Sequence, residues 1–184
     1  MRCYSSSLCD SLHRRRMHSF WANTMIDIVR AHYTDPVHAT ALIDLLDSYA
    51  RDPAGGGEPL SDFARTNLIG ALAARPFVFS VLAFEDDAPV GLVNAIEGFS
   101  TFACRPLVNV HDVVVRESHR GRGVAARLLA EVEAIARERG ACKLTLEVLS
   151  GNRAARSLYE KLGFDAYRLD PSMGEAQFMQ KWLD

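Results

Sequence analysis

Residues 119–126 read His119-Arg120-Gly121-Arg122-Gly123-Val124-Ala125-Ala126, a basic, glycine-rich turn between an apolar strand and an amphipathic helix. The chemistry such a junction supports is anion binding. Successive backbone N–H groups at a helix start converge on one point, and the helix dipole adds partial positive charge there. Gly121 and Gly123 let the backbone approach a phosphate where a Cβ would obstruct it. Arg120 and Arg122 add positive charge, so the natural guest is a pyrophosphate.

Two signatures fit this loop. Gly121-x-Gly123-x-x-Ala126 satisfies the GxGxxG/A fingerprint of dinucleotide binding, with Glu147 about 20 residues further on as a ribose ligand. The context opposes it. In a nucleotide-binding fold the glycine turn follows directly on its strand, whereas Arg116-Glu117-Ser118-His119-Arg120 intervenes here after Val115. Too few strand–helix repeats follow to complete a doubly wound sheet. Arg120-x-x-Gly123-x-Ala125 instead fits Q/R-x-x-G-x-G/A, a pattern of acyl-CoA binding.

The elements that must position this loop are readable from periodicity. Ile26–Tyr33 reads as a strand, and Asp35-Pro36 supplies an N-cap and first position for a helix with Leu42, Leu45, Leu46 and Tyr49 on one stripe. Asp52–Pro59 is loop, and Ser61 caps a second helix carrying Ala64, Leu68, Ile69 and Leu72. Phe77–Glu85 and Val90–Phe99 form a hairpin around Asp86-Asp87-Ala88-Pro89, followed by a strand over Leu107–Val115. Val124, Leu128, Val132, Ile135 and Ala136 mark a long helix closed by Gly140. Lys143–Leu149 alternates as a strand, Asn152 opens a last helix ending at Gly163, and Phe164–Leu169 and Ala176–Leu183 read as two closing strands. The fold class is therefore α/β, of mixed α+β type: a mostly antiparallel twisted sheet of about seven strands flanked by about four helices, with a right-handed parallel crossover from Leu107 to Leu149.

The strand His111-Asp112-Val113-Val114-Val115, the loop His119–Ala126 and the run Asn152-x-x-Ala155-x-x-Leu158-Tyr159-x-x-Leu162-Gly163-Phe164 occur together in the order and spacing of one family. The chain resembles the GNAT superfamily of N-acyltransferases from Met25 to the C-terminus. The resemblance implies a sheet splayed open between its fourth and fifth strands. Acetyl-CoA would lie in that opening as cosubstrate, its pyrophosphate on Arg120, Gly121, Arg122, Gly123, Val124 and Ala125 and its pantetheine along Val113, Val114 and Val115. It further implies direct attack of a neutral amine on the thioester, with a backbone N–H of Val113–Val115 stabilising the oxyanion.

Individual roles follow from the same resemblance. Tyr159 matches the family's Tyr near the thiol, a general acid for the leaving thiolate, against the plainer reading of an aromatic filling a helix–sheet seam. Asn152 matches the family's CoA-contacting Asn and is equally an N-cap. His111, in phase with Val113 and Val115, aligns with the base of spermidine/spermine-type members, and an imidazole suits proton removal near neutrality. Glu97 is the second candidate base and Glu147 the third, while Asp112 points to the face opposite His111 and ties a neighbouring loop. Glu97–Phe102 resembles the segment lining the acceptor pocket in polyamine-type relatives, which makes Phe99 a candidate substrate contact. Glu58 and Asp52 flank Gly55–Gly57, a loop that lies over the acceptor site in this fold, and their charge would favour a cationic amine.

Composition narrows the function classes. The 184 residues are 48% hydrophobic and 24% charged, which suits one globular domain with an appendage. Residues 1–24 carry a net +3 and the remainder a net −5, so the mildly acidic body is a poor nucleic-acid binder. No run approaches the ~18 apolar residues of a membrane span. Cys3, Cys9, Cys104 and Cys142 have no metal-binding spacing, so no metal is expected, reduced thiols in a cytoplasmic protein are the default, and no motif activates a thiol for acyl transfer. The Arg- and Ser-rich residues 1–24 are expected to be a disordered or mis-started extension, and residues 25–184 the acetyltransferase domain. The resulting expectation is an acetyl-CoA-dependent N-acetyltransferase acting on a small cationic primary amine, with homodimerisation through edge strands compatible with the superfamily. The rivals are an inactive acyl-CoA-binding regulator and a protein or peptide N-acetyltransferase.

Overall fold

The computed structural model describes residues 25–167, 170, 172, 174 and 176–183; the N-terminal arm lies outside the described residues. Among them the element order is β1 (Ile26–Arg30), α1 (Pro36–Ala50), α2 (Asp62–Ala73), β2 (Val78–Glu85), β3 (Ala88–Ser100), β4 (Arg105–Val115), α3 (Val124–Glu138), β5 (Leu144–Leu146) and α4 (Arg153–Lys161), with 3-10 turns at Pro53–Gly55 and Glu117–His119.

Local chemistry starts and stops these elements. The Asp35 carboxylate accepts from Val37 N and His38 N at the start of α1, Ser61 Oγ from Ala64 N at α2, and Asn152 Oδ1 from Ala155 N at α4. The β2–β3 hairpin turns on Asp86 and Asp87, both at positive φ (49° and 65°), a conformation Asp tolerates and the strand twist favours. Gly140 terminates α3 at φ 73°, with Ala141 N donating back to Ala136 O at 2.9 Å.

The sheet runs β1-β2-β3-β4-β5, antiparallel up to β4 and parallel between β4 and β5. Its faces bury different clusters. On one side Val81, Val93 and Val110 meet Val124, Leu128, Val132 and Ile135 of α3 and Tyr159 of α4. On the other, Leu82, Leu92 and Val114 meet Leu42 and Leu45 of α1. Each fully buried leucine contributes about 1.5–3 kcal/mol. A Cβ on Gly91 would stand 2.9 Å from Leu128 Cδ1 and 3.1 Å from Val124 Cγ1, so the N-terminus of α3 rests on β3 only because residue 91 has no side chain.

Two features depart from the expected layout. The β3–β4 register shifts from Asn94↔Asp112 to Ala95↔Val110, leaving His111 as the extra residue of a bulge. Val110 and Val113 both pack toward α3 with two residues between them, so strict alternation fails and does not set His111 in phase with Val113. The sheet also has five strands where about seven are expected. β5 is cut to Leu144–Leu146 because the chain leaves β4 beyond Leu146, which leaves only a short template for further pairing. Phe164–Tyr167 and 176–183 join no strand, residues 168 and 169 lie outside the described residues, and Phe178, Met179, Trp182 and Leu183 are exposed.

Candidate active site

β4 and β5 share only the pairs Val108↔Leu144, Asn109↔Thr145 and Val110↔Leu146, then separate. The expected splay is therefore present. It opens a cleft of about 1350 Å³ walled by Tyr49 and Asp52 from the end of α1, His111 and Val113–Val115 from β4, residues 119–121 and 123–126 of the loop and first turn, Glu147–Leu149 beyond β5, and Asn152 and Tyr159. From residue 111 onward the β5-facing edge of β4 has no strand partner, so its backbone groups face this space.

The cradle for an anion is formed by backbone. α3 is the one helix of the four in the described residues whose N-terminus has no side-chain cap, and its first helical bond runs from Arg127 N to Gly123 O. The N–H groups before Arg127 have no intrahelical acceptor. Gly121 and Gly123 stand at φ 76° and 79°, which an L side chain rarely adopts, and no atom lies within 4 Å of a Cβ built at either. Glycine is needed here for the turn and for the approach of a ligand.

The basic side chains do not simply point at the guest. Arg122 pairs with Glu85 at the end of β2, and His119 Nε2 lies 2.9 Å from the other Glu85 oxygen. His119 Nδ1 is 2.8 Å from Ser118 Oγ. Arg120 donates to Val115 O (3.2 Å) and to Asp52 Oδ2 (3.1 Å), joining the loop to the end of α1. Glu85 thus organises the loop from outside the cleft, and Arg122 is not one of its lining residues.

The end of the cleft away from this loop collects polar groups from three elements. Tyr159 is 9% exposed in α4, its ring edge-on to Phe164 at 5.8 Å. Burial, reinforced by Tyr49, pushes its phenol above the ordinary value, so it holds its proton at neutral pH. Tyr49 is raised by burial and then by the charges of Asp112 and Asp52. Glu147 accepts from Asn109 Nδ2 at 3.1 and 3.3 Å. Behind this end, Asp47 accepts from Leu60 N (3.0 Å), Arg51 Nε (2.9 Å) and Arg65 Nη1 (2.6 Å), tying both helices to the 52–59 loop. The two guanidiniums hold its carboxyl down to about 2.

Of the residues singled out from sequence, Tyr159, His111, Glu147, Val113–Val115, Arg120, Gly121, Gly123, Val124, Ala125 and Asn152 meet at this cleft. Asn152 lines the cleft and also caps α4. Glu97 stands elsewhere, bound at 3.0 Å to Arg139, whose guanidinium covers Phe79. Phe99 is 60% exposed near the far end of β3, and Glu58 is exposed in the α1–α2 loop without lining the cleft. Sequence reasoning missed Tyr49, Asn109 and Glu85. Tyr49 sits on an apolar stripe and reads as core, although its place at the mouth of the Gly55–Gly57 loop was a usable signal.

Known proteins similar to this chain point to one family. Residues 38–164 match the model of the acetyltransferase (GNAT) family. The chain is 33% identical over 87 residues to streptothricin acetyltransferase of Streptomyces lavendulae, covering 46% of each chain. It is 35% identical over 74 residues to L-methionine sulfoximine/L-methionine sulfone acetyltransferase of Pseudomonas aeruginosa, covering 40% of this chain and 42% of that one. The chain thus spans less than half the length of these curated relatives. In fold it is similar to ribosomal-protein-alanine N-acetyltransferase from Brucella melitensis (TM-score 0.65, 22% identity, 86% of this chain and 100% of that chain). With the family match running from α1 through the loop to the end of α4, this chain belongs to the acetyltransferase (GNAT) family.

Proposed function

We propose that this protein transfers an acetyl group from acetyl-CoA to a primary amine of a small cationic acceptor, by direct attack within a ternary complex. The observation that carries the reading is the uncapped N-terminus of α3 opening, through Gly121 and Gly123, onto a cleft that continues to Tyr159. The amides of residues 121–126 would hold the pyrophosphate, and the unpaired edge of Val113–Val115 would hold the pantetheine and supply the oxyanion donor.

Tyr159, protonated at neutral pH, donates to the thiolate as it leaves. Glu147, oriented by Asn109, removes the proton from the attacking amine, and His111 is the alternative proton acceptor in the same wall. Glu97 is not placed to act as the base, because it pairs with Arg139 outside the cleft. The carboxylates of Glu147 and Asp52 at the cleft favour a cationic acceptor, even with Asp52 shared by Arg120.

The test has two parts. Thermal shift with CoA, NAD and ATP should select CoA, and selection of NAD would refute the reading. Thiol release from acetyl-CoA should then be followed across polyamines, amino acids, aminoglycosides and peptides. Turnover confined to peptides would establish the peptide acetyltransferase instead, and CoA binding with no turnover would establish an acyl-CoA-binding regulator.

A further inference from the structure

The helical face of the sheet that packs on α1 contains a polar line with no evident stabilising purpose. Ser80 of β2 and Asn94 of β3 are 2% and 6% exposed, on the face that otherwise buries Leu82, Leu92 and Val114. Ser80 Oγ donates to Asn94 Oδ1 at 2.6 Å, and Asn94 Nδ2 donates to Asp112 Oδ2 at 3.0 Å. Tyr33 OH lies 3.0 Å from Ser80 Oγ. With the serine proton committed to Asn94, the phenol is the donor to Ser80. Every proton in this line therefore points toward Asp112, whose Oδ2 accepts the last of them.

Apolar residues of similar shape would fill these positions at little cost, whereas a buried polar group left unpaired costs about 1–3 kcal/mol. What the line achieves is the fixing of Asp112. The bulge at His111 makes this position matter. Asp112 stands between the cleft-lining His111 and Val113, is half-buried without itself lining the cleft, and lies on the α1 side of the sheet, where its charge acts on the cleft-lining Tyr49. Among the described residues, its second oxygen, Oδ1, has no hydrogen-bond partner.

We infer that Tyr33, Ser80 and Asn94 are positioning residues for Asp112, and that Asp112 receives a second cationic group of the acceptor, the one that is not acetylated. The inference rests on the proposed amine acetyltransferase and goes beyond it by naming a specificity-determining carboxylate. Ammonium binding at a carboxylate already aligned by a buried donor needs no reorganisation. Two other carboxylates line the cleft, Asp52, shared with Arg120, and Glu147, held by Asn109; neither leans on the polar line.

The experiment compares a diamine with the monoamine of the same chain length. Wild-type protein should prefer the diamine in kcat/KM. Asp112→Asn keeps an acceptor for Asn94 and removes only the charge, and it should lower the diamine-to-monoamine ratio about tenfold or more. Ser80→Ala and Asn94→Ala should lower the same ratio in that order, and Tm records the structural cost separately. A wild-type enzyme with no diamine preference overturns the inference, as does an Asp112→Asn ratio equal to wild type. If no amine at all is acetylated while the fold is intact, it is the proposed function that fails, and the two failures are thereby distinguished.

Discussion

Asn109 donates to both carboxylate oxygens of Glu147, at 3.1 and 3.3 Å, across the point where β4 and β5 part. Asn109 stands one residue before the last paired position of β4, and Glu147 one residue after the last paired position of β5. The carboxylate at the apex of the cleft is thus aimed by the strand it is leaving. Glu147→Gln should lower kcat by about 10²–10⁴-fold with acetyl-CoA affinity retained, the usual contribution of a positioned base. His111→Ala should cost less, and a larger loss there in steady-state kinetics would transfer the role to His111.

Gly123→Asp should abolish CoA binding in calorimetry. It places a side chain at positive φ, a strain of about 1–2 kcal/mol, and a negative charge against the amides proposed to hold a phosphate. Far-UV circular dichroism should remain that of the parent protein.

Tyr159→Phe should slow acetyl transfer by about a hundredfold or more while leaving CoA affinity nearly intact. Unchanged turnover would make Tyr159 a packing residue between α4 and Phe164.

Glu85→Gln should raise the KM for acetyl-CoA and leave kcat largely as it was. Glu85 holds both Arg122 and His119, so the loop loses its fixed shape while the reacting end of the cleft is untouched. A fall in kcat without a change in KM would contradict that division.

Asp47 gives the stability a dependence on acid. Its carboxyl is lower in the folded protein than in an unfolded chain, so its contribution is complete above the ordinary carboxyl range and disappears as the pH falls toward about 2. Asp47→Asn should remove that part of the pH dependence of Tm between about pH 4 and 2. The loop between α1 and α2 should become more sensitive to limited proteolysis, because Leu60 N loses its charged acceptor.

Much of the molecule was legible because the signals are local. Asp35, Ser61 and Asn152 cap helices where their neighbours in sequence predict it, and Gly121, Gly123 and Gly140 take the positive φ that their turns require. What escaped depends on register and distant partners. The run Val113-Val114-Val115 is apolar on both faces, so it hides the one-residue phase change at His111. The extent of β5 is set by where it leaves β4, not by its own residues. Arg120 and Arg122 read as phosphate ligands because nothing nearby in sequence reveals that Asp52 and Glu85 reach them.

Those ion pairs have a consequence for binding in solution. An anion site built from uncompensated arginines attracts its guest at long range and weakens steeply as salt is added, over a Debye length of ~10 Å at 0.1 M. Here each loop arginine already has a carboxylate, and the remaining attraction comes from short-range amide dipoles. The grip on a nucleotide-bearing thioester should therefore vary little between dilute buffer and high ionic strength.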